Sequence, residues 1–168
     1  MKITLNTRFP ESLWLVRILL FGMMISLAGT ARPALASCGG VTNVNSQAQL
    51  NASISDFNSQ GSPCHYTIAL ATDIDLTAST TTINNPVENV DLVLNGNGYY
   101  VSGQLIGGVR PFQIANDTTV TMQNITIQRG NVATNGGGIH NSGNLTLSNA
   151  SITFNAAGQE GAVCGTVL

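Results

Sequence analysis

The sequence predicts an all-β solenoid, a coil of short strands stacked on one another, and three observations support that prediction. Six residues recur in kind 25 positions later: Ile114, Val120, Thr121, Met122, Asn124 and Ile127 are followed by Ile139, Leu145, Thr146, Leu147, Asn149 and Ile152. Gly136 recurs as Gly161 by the same step. A fixed period between about 20 and 50 residues is typical of stacked repeats. Apolar residues also alternate within a repeat, as in Leu145-Thr146-Leu147, which is the spacing of a strand.

The N-terminus has the three parts of a secretion signal. Three basic residues precede an apolar run at 18–27, and small residues follow up to Ala36. This pattern predicts a signal peptide over 1–36 that is cleaved between Ala36 and Ser37. An uncleaved anchor and a lipoprotein signal with a lipidated Cys38 are the alternatives. Because the apolar run is too short to span a bilayer comfortably, we expect no membrane span after cleavage.

Residues 37–66 are predicted to form an N-terminal cap. Apolar residues at i, i+4 and i+7 indicate a helix over 46–57, and Ser46 is suited to cap its start. Cys38 and Cys64 flank this helix, and export permits a disulfide between them. Metal ligation is the competing interpretation, but no cysteine pair has C-x-x-C spacing and no histidine cluster is near.

Residues 67–168 are predicted to form the coils of the solenoid, the last of them incomplete. Their apolar runs are mostly three to five residues long and are separated by Gly, Asn, Asp or Pro. An inward side chain would lie beside its own copy in the next coil, which places Ile114 beside Ile139 and Val120 beside Leu145. Each fully buried aliphatic side chain then contributes on the order of 1.5–3 kcal/mol.

The same 25-residue step and the alternation along a strand assign further side chains. Leu147 is expected to point inward and Thr146 outward. Cys164 falls at the position of Ile139 one repeat later, which predicts a small, buried side chain with a free thiol.

Two motifs of small polar residues accompany the repeat. Asn124 and Asn149 share the 25-residue step, so we expect their amides to stack inward as a ladder; a solvent-facing turn is the alternative. Gly136-Gly137-Gly138 is expected to form a tight turn with positive φ or to allow close approach between coils. A phosphate-binding loop is the competing interpretation, but no Lys-Ser/Thr and no helix follow.

Composition limits the partners. Only 8% of the residues are charged, against roughly 25% in ordinary globular domains. Outside residues 1–36 the chain keeps two basic and seven acidic residues, a net charge of −5. Two arginines in a chain of this net charge make no basic patch that could bind nucleic acid or an anionic membrane. No cofactor and no metal site is expected.

The repeat resembles a known family in three consecutive motifs: Gly136-Gly137-Gly138-Ile139, Asn141-Ser142-Gly143-Asn144-Leu145-Thr146-Leu147-Ser148-Asn149, and Ile152-Thr153-Phe154-Asn155-Ala156-Ala157. These are similar to the repeats of bacterial right-handed parallel β-helix proteins related to the polymorphic outer membrane proteins. That family's repeat has a Gly-Gly-x-Ile element and a Phe-x-x-Asn element. Here Ile152 replaces the Phe, and Asn155 supplies the Asn. The resemblance covers roughly residues 38–160 and implies a right-handed parallel β-helix.

The chain departs from this family at its end. The resemblance implies many more coils, whereas the last coil here starts at Gly161 with weakened motif residues and stops at Leu168. We therefore expect a truncated copy or an N-terminal fragment of a longer protein. Open strand edges at an incomplete coil predict end-to-end self-association.

Three functions fit these observations. The first is an exported, non-catalytic surface or adhesin-like protein at the cell envelope that contacts carbohydrate or another cell surface. The second is a polysaccharide lyase or glycoside hydrolase, for which Asp73 and Asp75, about 7 Å apart on one strand face, are the candidate pair. We interpret these two residues as solvated acids at the edge of a coil and predict no catalytic residues. The third is a remnant without independent function.

Overall fold

The computed structural model describes residues 36–166. The predicted signal peptide, except Ala36, lies outside the described residues, as do Val167 and Leu168. One helix and fourteen strands follow in chain order: β1 (Thr42–Val44), α1 (Gln47–Asn58), β2 (Cys64–Leu70), β3 (Ile74–Asp75), β4 (Val90–Asn95), β5 (Tyr100–Ser102), β6 (Phe112–Ile114), β7 (Thr119–Gln123), β8 (Thr126–Gln128), β9 (Asn131–Val132), β10 (Ile139–Asn141), β11 (Asn144–Ser148), β12 (Ser151–Thr153), β13 (Ala156–Ala157) and β14 (Val163–Cys164).

The strands stack into four parallel sheets, which confirms the predicted β-solenoid. Sheet A has the order β1-β2-β4-β7-β11, and sheet B has the order β3-β5-β8-β12. Sheet C is β6-β10-β14, and sheet D is β9-β13. Every pair of neighbouring strands in these sheets is parallel. Each coil of the chain therefore contributes one strand to each sheet that it reaches.

The core is a set of aliphatic rows that run along the solenoid axis. In sheet A, Leu92, Val120 and Leu145 pair in register, and all three are fully buried. Leu147 also faces inward beside buried Met122 but is only half-buried, because β11 has no further strand beside it among the described residues. Thr146, which lies between Leu145 and Leu147 in β11, points outward and is exposed, as the alternation predicted.

The predicted register holds over one stretch and shifts over another. Val120 pairs with Leu145 and Ile127 pairs with Ile152, as predicted. The expectation that Ile114 lies beside Ile139 is wrong: Ile139 pairs with Phe112. The corner between sheets C and A has four residues (115–118) in one coil and two (142–143) in the next. This difference moves the register by two residues and leaves the apolar side chains facing inward.

The last coil is out of step by one residue. Cys164 pairs with His140, and Val163 takes the place beside Ile139 that was predicted for Cys164. Gly161 likewise lies over Gly137, whose amide donates to its carbonyl, and not over Gly136. The corner before β14 has five residues (158–162), one fewer than the six (133–138) before β10. Because a one-residue slip reverses which way a side chain faces, Cys164 is not the buried residue that was predicted.

Helix α1 closes the N-terminal end of the core. It begins one residue after the predicted start, with Ser46 as the N-cap accepting from the Gln49 amide. Leu50, Ile54 and Phe57 are fully buried on one face. The ring of Phe57 meets that of Tyr66 of β2 edge-on, with centroids 6.0 Å apart. The helix thus covers apolar side chains that a further coil would otherwise bury.

Amide side chains of α1 also pair with the backbone of the first coil between residues 77 and 84. Gln47 accepts from the Thr77 amide and donates to the Ala78 carbonyl. At the other end of the helix, Asn58 donates to the Thr82 carbonyl at 2.8 Å and accepts from the Asn84 amide at 2.8 Å. A primary amide carries both a donor and an acceptor, as a peptide group does. The helix therefore satisfies a backbone edge that has no neighbouring strand.

A disulfide joins Cys38, just before β1, to Cys64 at the start of β2, as predicted, with the Cα atoms 5.2 Å apart. It closes a loop of 26 residues that contains α1. In the chain-entropy account such a loop stabilises the fold by about 3 kcal/mol. The bridge excludes metal ligation by these two cysteines while it is formed.

The glycine triplet lets neighbouring parts of the chain approach closely. Gly136 has φ of +66°, which L side chains rarely adopt. A Cβ on Gly137 would lie 2.3 Å from the carbonyl oxygen of Ala156 in the next coil. Asn155 secures the same corner: its side chain accepts from the Gly130 amide at 2.7 Å and donates to the Ile127 carbonyl. These motif residues are structural in this fold.

We predict that Asn58→Ala lowers the free energy of unfolding by about 1–3 kcal/mol, because the Thr82 carbonyl and the Asn84 amide lose their partner. Urea denaturation of the oxidised protein measures this. Ser55→Ala is the control: its hydroxyl bonds only within the helix, and its loss should change stability by less than about 0.5 kcal/mol. Equal midpoints for the two variants would contradict the edge-capping role.

Candidate functional site

The candidate site is the outer face of sheet A, which we call the sheet A face. It consists of side chains that point away from the core in three rows along the axis. The rows are His65–Asp91–Thr119–Asn144, Thr67–Val93–Thr121–Thr146 and Asn43–Ala69–Asn95–Gln123–Ser148. Neighbouring members of a row are about 4.8 Å apart because they belong to adjacent strands. The face therefore carries rows of hydroxyl and amide groups, interrupted by Val93 and by the buried Ala69.

A groove borders the sheet A face where its strands begin. It has a volume of about 400 Å³ and is lined by Pro86, Val87, Glu88, Asn89, Val90, Asp91, Asp117, Thr119 and Asn144. Three of these residues carry carboxylates, and Asp91 also belongs to the first row of the face. We call this feature the acidic groove. It joins the face without a break, because Asp91, Thr119 and Asn144 belong to both.

Asp91 is paired with a histidine across two strands. His65 Nδ1 and Asp91 Oδ1 are 2.5 Å apart, and the two side chains are 47% and 29% exposed. The pair fixes the orientation of the imidazole, so that Nε2 remains available to a ligand. A histidine held in this way contributes to acid–base catalysis only beside a nucleophile or a second acid. The sequence analysis missed this pair, although its 26-residue spacing equals that of Cys64 and Val90 in the same strands.

The predicted ladder of asparagine side chains lies along the edge of the sheet A face opposite the acidic groove, where the strands end. Asn149 donates to the side-chain oxygen of Asn124 at 2.8 Å, and Asn124 donates to that of Asn95 at 3.3 Å. Asn124 and Asn149 have φ of 51° and 49°, the left-handed conformation that asparagine tolerates. Asn124 is half-buried and Asn149 is exposed, so the ladder lies at a surface corner and not inside the core.

A second groove follows this ladder. It has a volume of about 320 Å³ and is lined by Gly98, Asn124, Ile125, Thr126, Asn149, Ala150 and Ser151. None of these residues is charged. The sheet A face thus lies between the acidic groove and a neutral one, and an elongated ligand lying along the strands would meet both.

The acids considered for catalysis do not line either groove. Asp73 and Asp75 flank buried Ile74 and point outward, as their spacing indicated. Asp73 accepts a hydrogen bond from the Tyr100 amide at 3.0 Å, which gives it a structural contact to the next coil. Within residues 36–166, no three His, Cys, Asp or Glu side chains are grouped to hold a metal ion.

Arg110, one of the few basic residues, is occupied by structural contacts. Its guanidinium donates to the carbonyls of Gly136 and Asn135 at 2.9 and 2.8 Å, and to the side chains of Gln113 and Thr134. The residue links two coils on the side of the solenoid away from the sheet A face. Its charge is therefore directed to the backbone and not to a ligand.

Cys164 is half-buried on the outer side of sheet C. Its thiol donates to Glu160 Oε2 at 2.9 Å. This hydrogen bond raises the pKa of the Cys164 thiol, with further contributions from desolvation and from the nearby negative charge of Glu160. The thiolate is the reactive form, so Glu160 makes Cys164 a slow nucleophile near neutral pH.

Comparison with protein-family models, with curated proteins and with solved structures gives no match for this chain. In residues 36–166, no helix has the length and apolar character needed to cross a membrane.

We expect Glu160→Gln to speed alkylation of Cys164 by iodoacetamide at pH 7.5, because a neutral amide no longer disfavours the thiolate. The pH dependence of the alkylation rate should move to lower pH. Glu88→Gln is the matched control, since Glu88 lies in the acidic groove and not beside Cys164. An unchanged pH profile in Glu160→Gln would refute the assigned cause.

Proposed function

We propose that this chain is an exported, non-catalytic β-helix protein whose sheet A face binds neutral carbohydrate at a cell surface. The observation that carries the proposal is the set of threonine hydroxyls and side-chain amides that the strand register aligns in rows on the sheet A face. Sugar hydroxyls are both donors and acceptors, and they match such groups without any need for charge. A polymer of sugars also presents a repeating set of groups to the repeating rows.

Charge favours a neutral glycan over an acidic one. The chain after residue 36 has seven acidic and two basic residues, and three of the acids line the acidic groove. A uronate polymer or a nucleic acid crossing the sheet A face would meet like charge there. Neutral sugars meet no such repulsion, and the carboxylates can accept hydrogen bonds from their hydroxyl groups.

Export and family membership are part of the same proposal. The Cys38–Cys64 disulfide supports an oxidising compartment, in agreement with the signal pattern at 1–36. The relation to the polymorphic outer membrane protein group rests on Gly136 to Ile139 and on Ile152 to Asn155, whose structural roles fit a coil corner. An adhesin-like role at the cell envelope follows from this combination.

Binding without turnover is the simpler use of this face. Each threonine or amide contributes one or two exposed hydrogen-bonding groups, and single contacts of this kind are weak in water. Repeated contacts along a polymer add up through effective concentration, so that a surface of weak sites can hold a long glycan. The hydrolase or lyase alternative took Asp73 and Asp75 as its pair of acids, and these two residues line neither groove. We assign the carboxylates of the acidic groove to hydrogen bonds with sugar hydroxyls.

We predict that Thr67→Val with Thr121→Val weakens retention on insoluble neutral polysaccharides by about tenfold or more, because two hydroxyls of one row are lost while side-chain shape is kept. Cosedimentation of the mature oxidised protein with cellulose, chitin and β-glucan measures this. Thr82→Val with Thr153→Val also removes two hydroxyls, but at residues that belong neither to the sheet A face nor to either groove, and it should leave retention unaltered.

Equal losses for the two double variants would contradict a site on the sheet A face. Retention by none of the neutral polymers would contradict the glycan class. Release of reducing ends or unsaturated sugars that stops in Asp73→Asn or Asp75→Asn would overturn the non-catalytic proposal in favour of the enzyme.

A further inference from the structure

Large side chains adopt a strained backbone conformation at one corner of the solenoid. Among the described residues, nine that are not glycine have φ between +49° and +60°. Five of them are Asn or Asp, which tolerate this left-handed region. The other four lie where the chain leaves sheet B, and they are Gln104, Leu105, Arg129 and Phe154. Because glycine or asparagine adopts this conformation at lower cost, the large side chains call for a functional explanation.

Three of these residues lie on neighbouring coils and are joined through the backbone. The Leu105 amide donates to the Arg129 carbonyl at 2.7 Å. The Arg129 amide in turn donates at 3.3 Å to the carbonyl of Thr153, the residue before Phe154. We call the side chains of Leu105, Ile106, Arg129 and Phe154 the corner ridge. Since successive coils are about 4.8 Å apart, the corner ridge is a continuous strip across three coils.

A hydrogen-bonded loop presents the first two residues of the corner ridge. The loop 103–108 follows β5, and its Gly108 amide donates to the Asn131 carbonyl at 2.8 Å. The Asn131 side chain donates back to the Leu105 carbonyl at 3.1 Å. These bonds tie the loop to the next coil, so the backbone holds Leu105 and Ile106 outward in one arrangement.

The corner ridge is apolar and carries one cation. Phe154 is 78% exposed, Leu105 is 53% exposed and Ile106 is 39% exposed. They are three of the five large apolar side chains that are exposed in the described part of the chain. Arg129 is also exposed, and its guanidinium forms no hydrogen bond or ion pair with any described residue. Arg110, in contrast, donates to two backbone carbonyls.

We propose that the corner ridge is a docking surface for a partner protein that presents a carboxylate between apolar side chains. Arg129 supplies the complementary charge, and Phe154 is the aromatic anchor; these two residue types are common among the side chains that carry interface energy. Leu105 and Ile106 extend the apolar contact. No residue of the corner ridge belongs to the sheet A face or lines either groove, so this inference does not depend on glycan binding.

Charge and rigidity favour a protein over a lipid surface. Residues 37–168 have a net charge of −5, and a single arginine gives little attraction to an anionic bilayer. The strained backbone also fixes the side chains before binding, which lowers the ordering cost of docking onto a partner of fixed shape. A fluid bilayer adapts to any arrangement of apolar side chains and would not require this strain.

Relief of strain tests whether the aromatic side chain is kept for binding. Phe154→Asn should raise the urea midpoint of the mature oxidised protein, because asparagine tolerates positive φ and the replaced ring is largely exposed. Tyr99→Asn is the control: Tyr99 is 37% exposed without positive φ, and its replacement should not raise the midpoint. An unchanged or lower midpoint in Phe154→Asn would mean that the ring stabilises the fold, and it would overturn the proposal.

A library of random peptides displayed on phage tests the chemistry of the partner. Peptides selected on the oxidised protein, after depletion on Phe154→Asn, should carry Asp or Glu beside aromatic or aliphatic residues. Their affinity should fall about tenfold or more in Arg129→Gln and stay unchanged in Tyr99→Asn. Selection of no peptide, or of peptides that bind Arg129→Gln as well as the parent, would contradict the proposal. Cosedimentation with phosphatidylcholine vesicles that is lost in Phe154→Asn would assign the corner ridge to a membrane instead.

Discussion

The structure depends on one constraint: every strand must find a backbone partner in the coil before and the coil after it, about 4.8 Å away. Because the strands are parallel and in register, an inward position is followed by an inward position in the next coil. Leu92, Val120 and Leu145 show the result, a fully buried row that no single coil could bury alone. The outward rows follow from the same register, and they form the flat sheet A face. The core and the candidate site therefore lie on opposite faces of the same paired strands.

The two ends of the stack meet this constraint differently. At the start, α1 replaces a missing coil by supplying buried apolar side chains and, from Gln47 and Asn58, amides that stand in for peptide groups. The disulfide at Cys38 and Cys64 holds that cap in place. At the other end, β11, β12 and β13 each have a partner on one side only among the described residues, and Leu147 of β11 is half-buried.

The sequence predicted those features that depend on a constant coil length. Between β7 and β12 the corners of successive coils match, so the pairs Val120–Leu145 and Asn124–Asn149 follow from the 25-residue step. The prediction that Cys164 takes the buried position beside Ile139 was wrong because the corner before β14 is one residue shorter than the corner before β10. The 25-residue step does not reveal this difference, which turns the Cys164 side chain outward. The amide contacts of α1 and the His65–Asp91 pair join polar residues in different coils, and apolar periodicity carries no signal for them.

Two sets of pairings define this stack: β4, β7 and β11 form one parallel sheet in constant register, and in sheet C β14 pairs with β10 one residue out of step with the 25-residue repeat. Cross-strand NOEs between α and amide protons of the isotope-labelled, oxidised protein test this arrangement most directly. The account predicts a parallel pattern that links the Val120 and Leu145 positions, together with contacts between His140 and Cys164. Close Hα–Hα contacts typical of antiparallel hairpins between β7 and β8, or direct pairing of Ile139 with Cys164, would contradict it.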